Sequence, residues 1–150
     1  MVKKISSLLF IFLTIILIAI DQLTKLLARS YLAHPIPLIK NLFQLAFAKN
    51  TGIAFGFFEG ANSIIVWLYL VVLGLIIFFY DRFPNERFSR IMLAFIIAGV
   101  IGNFIDRIVF GYVTDFLDFR IWPVFNIADI YLCAGVVGII AKEILRKEAS

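Results

Sequence analysis

The sequence predicts an all-α integral membrane protein with four transmembrane helices, and three observations carry that reading. Of 150 residues, 63% are hydrophobic and only 16% charged, and the mean hydropathy is +1.02, far from the composition of a soluble globular chain. The apolar residues fall into four long runs, and a helix needs roughly 20 residues to cross the hydrocarbon. The acidic and amide residues gather where those runs end, above all between Gly99 and Asp129. A single domain over residues 1–150 is expected.

Composition also excludes several classes of function. The net charge is a modest +4, and no run of Lys or Arg is interleaved with aromatics as a nucleic-acid surface requires, so no nucleic-acid partner is expected. Cys133 is the single cysteine and His34 the single histidine. A disulfide framework, a paired Cys/His zinc site and a His-dependent triad are therefore out of reach.

Lys3 and Lys4 precede an uncharged run from Ile5 to Ile20, which alone resembles the start of a secretory signal. The run passes into Asp21, Gln22, Thr24 and Lys25 without a small-x-small cleavage site, so an uncleaved first span is expected. Asp21 and Lys25 are four apart and share a helix face, where a plain ion pair near the headgroups would suffice. From Ser30 to Asn62 the chain is mixed. His34, Pro35 and Pro37 break any helix, and Leu42 to Ala48, with only Gln44 polar, is too short to span and suits short strands on or beside the membrane. Asn50-Thr51-Gly52 signals a turn, and the aromatics Phe55, Phe57 and Phe58 follow as an interfacial anchor.

Ala61 to Tyr80 is uncharged and gives the second span. Asp81 to Arg90 forms a charged loop, and Ile91 to Ile105 gives the third, running into Asp106 and Arg107. Gly99, Asn103 and Asp106, spaced by four and three, line one face that a neighbouring backbone can approach. Asp115 and Asp118 fall in the next loop, and Asn126 to Asp129 opens the fourth span, which ends at Lys142. The positive-inside rule places both termini and the Asp81 to Arg90 loop in the cytoplasm, though the bias in Lys and Arg is mild. With that topology Asp21, Asn50, Asn103, Asp106, Asp115 and Asp129 all reach the outer face.

Ionisable groups at such depth are functional candidates by default. Two close carboxylates cannot both ionise easily, so one holds a proton while the other is charged. Such a pair can activate water against an amide carbonyl and stabilise the oxyanion that forms, with no metal or cofactor required. Plainer roles exist for each group. Asn126 can be a helix N-cap with Asp129 in the first turn, Asp106 has Arg107 beside it as a partner, and Asp118 sits next to Arg120 as a solvated or paired loop residue. Three other functions fit intramembrane carboxylates: an ion-coupled carrier, a metal-dependent lipid phosphotransferase and a structural subunit. The apolar cytoplasmic halves of all four runs argue against the first.

Five blocks then resemble a known family. Asp21-Gln22-Leu23-Thr24-Lys25, Asn50-Thr51-Gly52-Ile53-Ala54-Phe55, Gly99-Val100-Ile101-Gly102-Asn103-Phe104-Ile105-Asp106-Arg107, Val113-Thr114-Asp115-Phe116 and Phe125-Asn126-Ile127-Ala128-Asp129 stand in the order found in the bacterial lipoprotein signal peptidases, or signal peptidase II. The resemblance covers nearly the whole chain. It implies an aspartic endopeptidase of the bacterial inner membrane, which cuts the signal peptide from prolipoproteins just before a diacylglyceryl-modified cysteine. It implies a catalytic pair, Asp115 and Asp129, surrounded by Asn50, Gly99, Asn103, Arg107, Asn126 and Ala128, with Asp21, Lys25, Gly52 and Asp106 in support. It further implies a small extracytoplasmic β-cradle and a short surface helix, which suit residues 35–60, and inhibition by globomycin-type cyclic peptides. Membrane lipid and diacylglyceryl-modified prolipoproteins are the implied partners, with Phe55, Phe57, Phe58 and Trp122 as candidate apolar contacts. Ile53, Val100, Ile101 and Ile130 depart from the family's usual residues, and none of them is in the pair.

Overall fold

The computed structural model describes residues 6–52 and 62–148. Among these, four α-helices carry most of the chain: α1 (Ser7–Tyr31), α2 (Asn62–Phe78), α3 (Arg87–Phe110) and α4 (Ile127–Glu148). A three-stranded antiparallel sheet, ordered β1 (Ile36–Ile39), β2 (Phe43–Asn50), β3 (Val113–Asp118), joins them at one end. A short 3-10 turn, Tyr80–Arg82, links α2 towards α3.

The helix ends follow from local chemistry. The Ser6 hydroxyl accepts from the Leu9 N–H at 3.3 Å and caps α1, and Pro35 follows soon after its last turn. α3 stops at Gly111, whose φ of +77° is a left-handed conformation that glycine adopts without Cβ strain. Asn126 begins α4 with a cap described below.

α3 is the central helix, packing against α1, α2 and α4. Its core with α1 is Phe10, Leu17, Leu93, Ala94 and Ala98. Two glycines let backbone and carboxylate come close at the sheet end. A Cβ on Gly99 would stand 2.5 Å from the Ala128 carbonyl oxygen, and one on Gly102 would collide with the Asp21 carboxylate. The face of Gly99 and Asn103 therefore does admit a neighbouring backbone, that of α4.

Outside this seam, large apolar side chains point outward on every helix. Leu8 and Phe12 on α1, Trp67 on α2, Ile108 on α3 and Val137 on α4 are more than half exposed. An apolar solvent accounts for that surface. By length and hydropathy α1 and α3 are the two described helices able to cross a membrane; α2 has 17 residues, and α4 carries charge along its last turns.

Two expectations change, and a third falls partly outside the described residues. Val113 to Asp118 is a strand and not a loop, because β2 supplies a full antiparallel edge, pairing Ala48 with Asp115 and Gln44 with Asp118. The charged loop is shorter than Asp81 to Arg90, since α3 already starts at Arg87. No helix occurs among the described residues between Pro35 and Gly52, and residues 53–60 of that segment lie outside the described residues, as do Phe55, Phe57 and Phe58.

Candidate active site

Asp115 enters the site from the middle of β3. After Asp118 the chain turns back, and Phe125 closes a bridge to Leu117, with the Leu117 N–H donating to the Phe125 carbonyl at 2.8 Å and the Phe125 N–H donating in return at 3.1 Å. That bridge sets the first turn of α4 beside β3. Asn126 then caps α4 reciprocally. Its Oδ1 accepts from the Asp129 N–H at 3.1 Å, and its own N–H donates to Asp129 Oδ2 at 3.0 Å.

Two asparagines connect the carboxylates. Asn126 Nδ2 donates to Asp115 Oδ1 at 2.6 Å and to Asn103 Oδ1 at 3.1 Å. Asn103 Nδ2 donates to Asp129 Oδ1 at 2.8 Å. Asn50, at the end of β2, donates to the other Asp115 oxygen at 2.9 Å. Each amide has its oxygen turned to donors and its nitrogen to carboxylates, so the orientations are fixed by the whole set.

Beneath this layer lies a buried charge cluster. Lys25 Nζ donates to Asn103 Oδ1 at 2.8 Å, pairs with Asp21 at 2.9 Å and approaches Asp106 at 3.8 Å, and all three charged residues are fully buried. Asp21 Oδ1 accepts the Ala128 N–H at 2.9 Å, tying α1 to the start of α4, where a helix dipole favours an anion. Asp21 and Lys25 thus form the ion pair that their spacing suggests. The i,i+4 contact is present, but it points inward because Gly102 leaves room for the carboxylate.

Asp106 and Arg107 also part company. Consecutive helical residues do not face one another. Asp106 turns to Lys25, Arg29 and the Thr114 N–H, which donates to it at 2.8 Å. Arg107 turns to the Gly52 carbonyl and to Asn62 Oδ1, 3.3 Å away. Gly52 in turn donates its N–H to Asn50 Oδ1 at 3.1 Å, so Arg107 braces the turn that carries Asn50. The twelve residues that the resemblance implies as catalytic or supporting all join this assembly: Asp115, Asp129, Asp21, Lys25, Asn50, Gly52, Gly99, Asn103, Asp106, Arg107, Asn126 and Ala128. Asp118 stays apart at the far end of β3, held by Gln44 at 2.5 Å and the Arg120 N–H at 2.7 Å.

Burial pushes the Asp115 carboxyl up to about 7, and the charge of Asp129 adds to the shift; hydrogen bonds from Asn50 and Asn126 and the charge of Lys25 oppose it. Asp118, by contrast, is held below the usual carboxylate range by the Arg120 N–H and then by Gln44. Asp129 borders a groove of about 440 Å³ along α4, lined by Trp122, Phe125, Ile130, Cys133, Ala134 and Val137. One carboxyl rich in protons, one at a helix N-terminus and an apolar trough beside them suit hydrolysis of an apolar substrate.

Sequence reasoning missed Arg29 and Thr114. Arg29 lies eight residues after Asp21 and four after Lys25, so helical spacing alone places it on their face. Thr114 had no such signal, since its role depends on β3.

The chain is similar to known proteins in sequence and in fold. The family model described as signal peptidase (SPase) II covers residues 13–145. A lipoprotein signal peptidase of Fusobacterium nucleatum is 42% identical over 145 residues, 93% of this chain and 88% of the relative. Those of Halothermothrix orenii and Moorella thermoacetica are each 40% identical, over 81% and 85% of this chain and 85% and 87% of the relatives. A solved structure described as a bacterial membrane enzyme superposes with a TM-score of 0.85 at 28% identity, covering 100% of this chain and 94% of the other.

Proposed function

The chain belongs to the signal peptidase II family and is a peptidase, and from that footing we propose that Asp115 and Asp129 are its catalytic pair. The proposed substrate is a prolipoprotein whose signal peptide is cut before a diacylglyceryl-modified cysteine, the class of protein to which the relatives' name refers. The single observation that carries the assignment is the bridge of amides, in which Asn126 and Asn103 hold one oxygen of each carboxylate and bond to each other.

The surroundings differ for the two acids and support different roles. Asp129 sits in the first turn of α4 and accepts one backbone N–H and one amide N–H, from an amide whose oxygen accepts from Lys25. Asp115 is buried on β3 and retains a proton to about pH 7. In the proposed reaction a water between them loses a proton to Asp129 as its oxygen attacks the scissile carbonyl carbon. Asp115 donates its hydrogen bond to the carbonyl oxygen as that oxygen becomes negative. Asp129 then returns the proton to the leaving nitrogen, the C–N bond breaks, and the new carboxyl and amine depart.

We assign the apolar trough beside Asp129, with Trp122 at its rim, to the apolar part of the substrate. Four membrane spans, cytoplasmic termini and a site at the extracytoplasmic end complete the reading. Its support is that the sheet and the carboxylates of Asp21, Asp106, Asp115 and Asp129 gather at one end of the helices, while large apolar side chains point outward along them. Globomycin-type cyclic peptides are the expected inhibitors, competing for the space between the aspartates.

Cleavage of a diacylglyceryl-modified prolipoprotein by the purified enzyme tests the assignment. Asp115→Asn and Asp129→Asn should each abolish turnover while remaining folded, and Asp118→Asn should cut normally, with EDTA without effect on any of them. Near wild-type cutting by either of the first two would refute the pair, and loss of activity with EDTA would favour the metal-dependent reading.

A further inference from the structure

Four charged side chains, Asp21, Lys25, Arg29 and Asp106, form a cluster that is neutral in sum. Arg29 is the member whose geometry no assigned role explains. Its guanidinium lies over the Phe110 ring at 4.3 Å, and Nη1 donates to the Thr114 hydroxyl at 2.8 Å and to Asp106 Oδ1 at 3.4 Å. Thr114 is fully buried and immediately precedes Asp115. Its N–H and its hydroxyl are therefore both clamped, one by Asp106 and the other by Arg29.

We infer that Arg29 is a positioning residue that fixes both halves of the aspartate pair, holding Asp115 through Thr114 and holding Asp129 through Asp106, Lys25 and Asn103. The first arm is direct: β3 has Arg29 and Asp106 gripping its second residue, so the strand cannot slide along β2 without breaking both contacts. The second arm is electrostatic. Lys25 is shared among Asp21 at 2.9 Å, Asn103 at 2.8 Å and Asp106 at 3.8 Å. With Arg29 satisfying Asp106, the ammonium stays on Asn103, whose amide reaches Asp129. Without Arg29, Asp106 has Lys25 as its sole cationic partner among the described residues and draws it away from Asn103. The cluster also becomes net negative.

Other groups around the pair set the background for any titration. Arg107 on α3 lies 6.0 Å from the Tyr69 ring of α2, and Tyr69 is close enough to feel the charge of Asp129. Asn50 comes from β2, Asn126 from α4 and Lys25 from α1. Of these, Lys25 is the cation within reach of Asp106, at 3.8 Å, and it is already shared with Asp21 and Asn103.

The inference rests on the proposed Asp115 and Asp129 pair, and the test separates the two. The purified full chain, in phospholipid nanodiscs, is assayed on a diacylglyceryl-modified prolipoprotein with wild type, Arg29→Met, Arg29→Lys and Asp115→Asn, each with a thermal melt. Arg29→Met should lower kcat about tenfold with KM changed less than about twofold, as expected when transition-state geometry is lost and binding is kept. Its pH profile should move upward by about half a unit, since added negative charge favours protonated carboxyls. Arg29→Lys keeps the charge and should restore the pH position while recovering kcat in part, because an ammonium lacks the fork. A lower melting temperature with wild-type kcat and an unmoved pH profile would overturn the role of Arg29 and leave the pair intact. Full activity of Asp115→Asn would overturn the pair itself.

Discussion

Asn126 and Asp129 hold each other through a closed ring of two hydrogen bonds, 3.0 Å from the Asn126 N–H to Asp129 Oδ2 and 3.1 Å from the Asp129 N–H to Asn126 Oδ1. The same Asn126 side chain also donates to Asp115, so one residue starts the helix and spaces the two acids. Asn126→Ala should cost about 1–2 kcal/mol from the lost cap. Turnover should fall further than that, by about a hundredfold, because Asp115 loses a donor aimed at its oxygen. Comparing melting temperature with kcat checks that activity falls out of proportion to stability.

The raised carboxyl of Asp115 predicts a falling alkaline limb. The proposed reaction needs this group protonated, so kcat/KM should decline above about pH 7, approaching tenfold per pH unit. Asp115→Asn removes the titration.

The same shift has a stability consequence of definite sign. A carboxyl that binds its proton more tightly folded than unfolded favours folding fully below its ordinary value of 3.8, and that contribution is lost as pH rises towards 7. Asp115→Asn should therefore gain on wild type as pH rises from about 4 to 8, by on the order of 4 kcal/mol at most. Paired melts across that range measure the difference, and a constant gap would contradict the shift.

Glycine replacements should separate by location. Gly99→Ala puts a methyl against the Ala128 carbonyl at 2.5 Å, which should cost about 1–3 kcal/mol and displace the turn bearing Asp129. Gly74→Ala on α2 meets nothing within 4 Å and should be neutral or stabilising by up to about 1 kcal/mol. Melting and turnover of the two variants give the contrast directly.

Cys133 stands one helical turn beyond Asp129 and lines the same groove. As the single cysteine of the chain, it offers a selective handle. A bulky maleimide should block cleavage of the proposed prolipoprotein substrate, and Cys133→Ser should resist the block.

What could be read from the sequence followed helical periodicity. The Asp21 and Lys25 pair, the face shared by Gly99, Asn103 and Asp106, and the cap at Asn126 each depend on spacings of three or four within one helix. Those contacts were recoverable without knowing the fold. β3 was not, because Asp115 and Asp118 are poor strand formers and their strand exists only because β2 pairs with it. Sequence adjacency misled at Asp106 and Arg107, whose partners lie on α1 and beyond β2. Arg29 was overlooked because a cation near the end of an apolar helix reads as an ordinary anchor, and its partner Thr114 is 85 residues away.

The tie from Asp21 on the first helix to the Ala128 amide on the last makes the site a late event in the life of the chain. During synthesis α1 emerges first, carrying an acid and an ammonium that can satisfy each other. Asn103 arrives next with no carboxylate to receive its amide. Only when the ribosome has released the start of α4, and that turn has docked on Gly99 and Asp21, do both acids meet. A nascent chain that ends before α4 thus lacks Ala128 for Asp21 and Asp129 for Asn103, and holds none of the contacts that join the two halves of the candidate site.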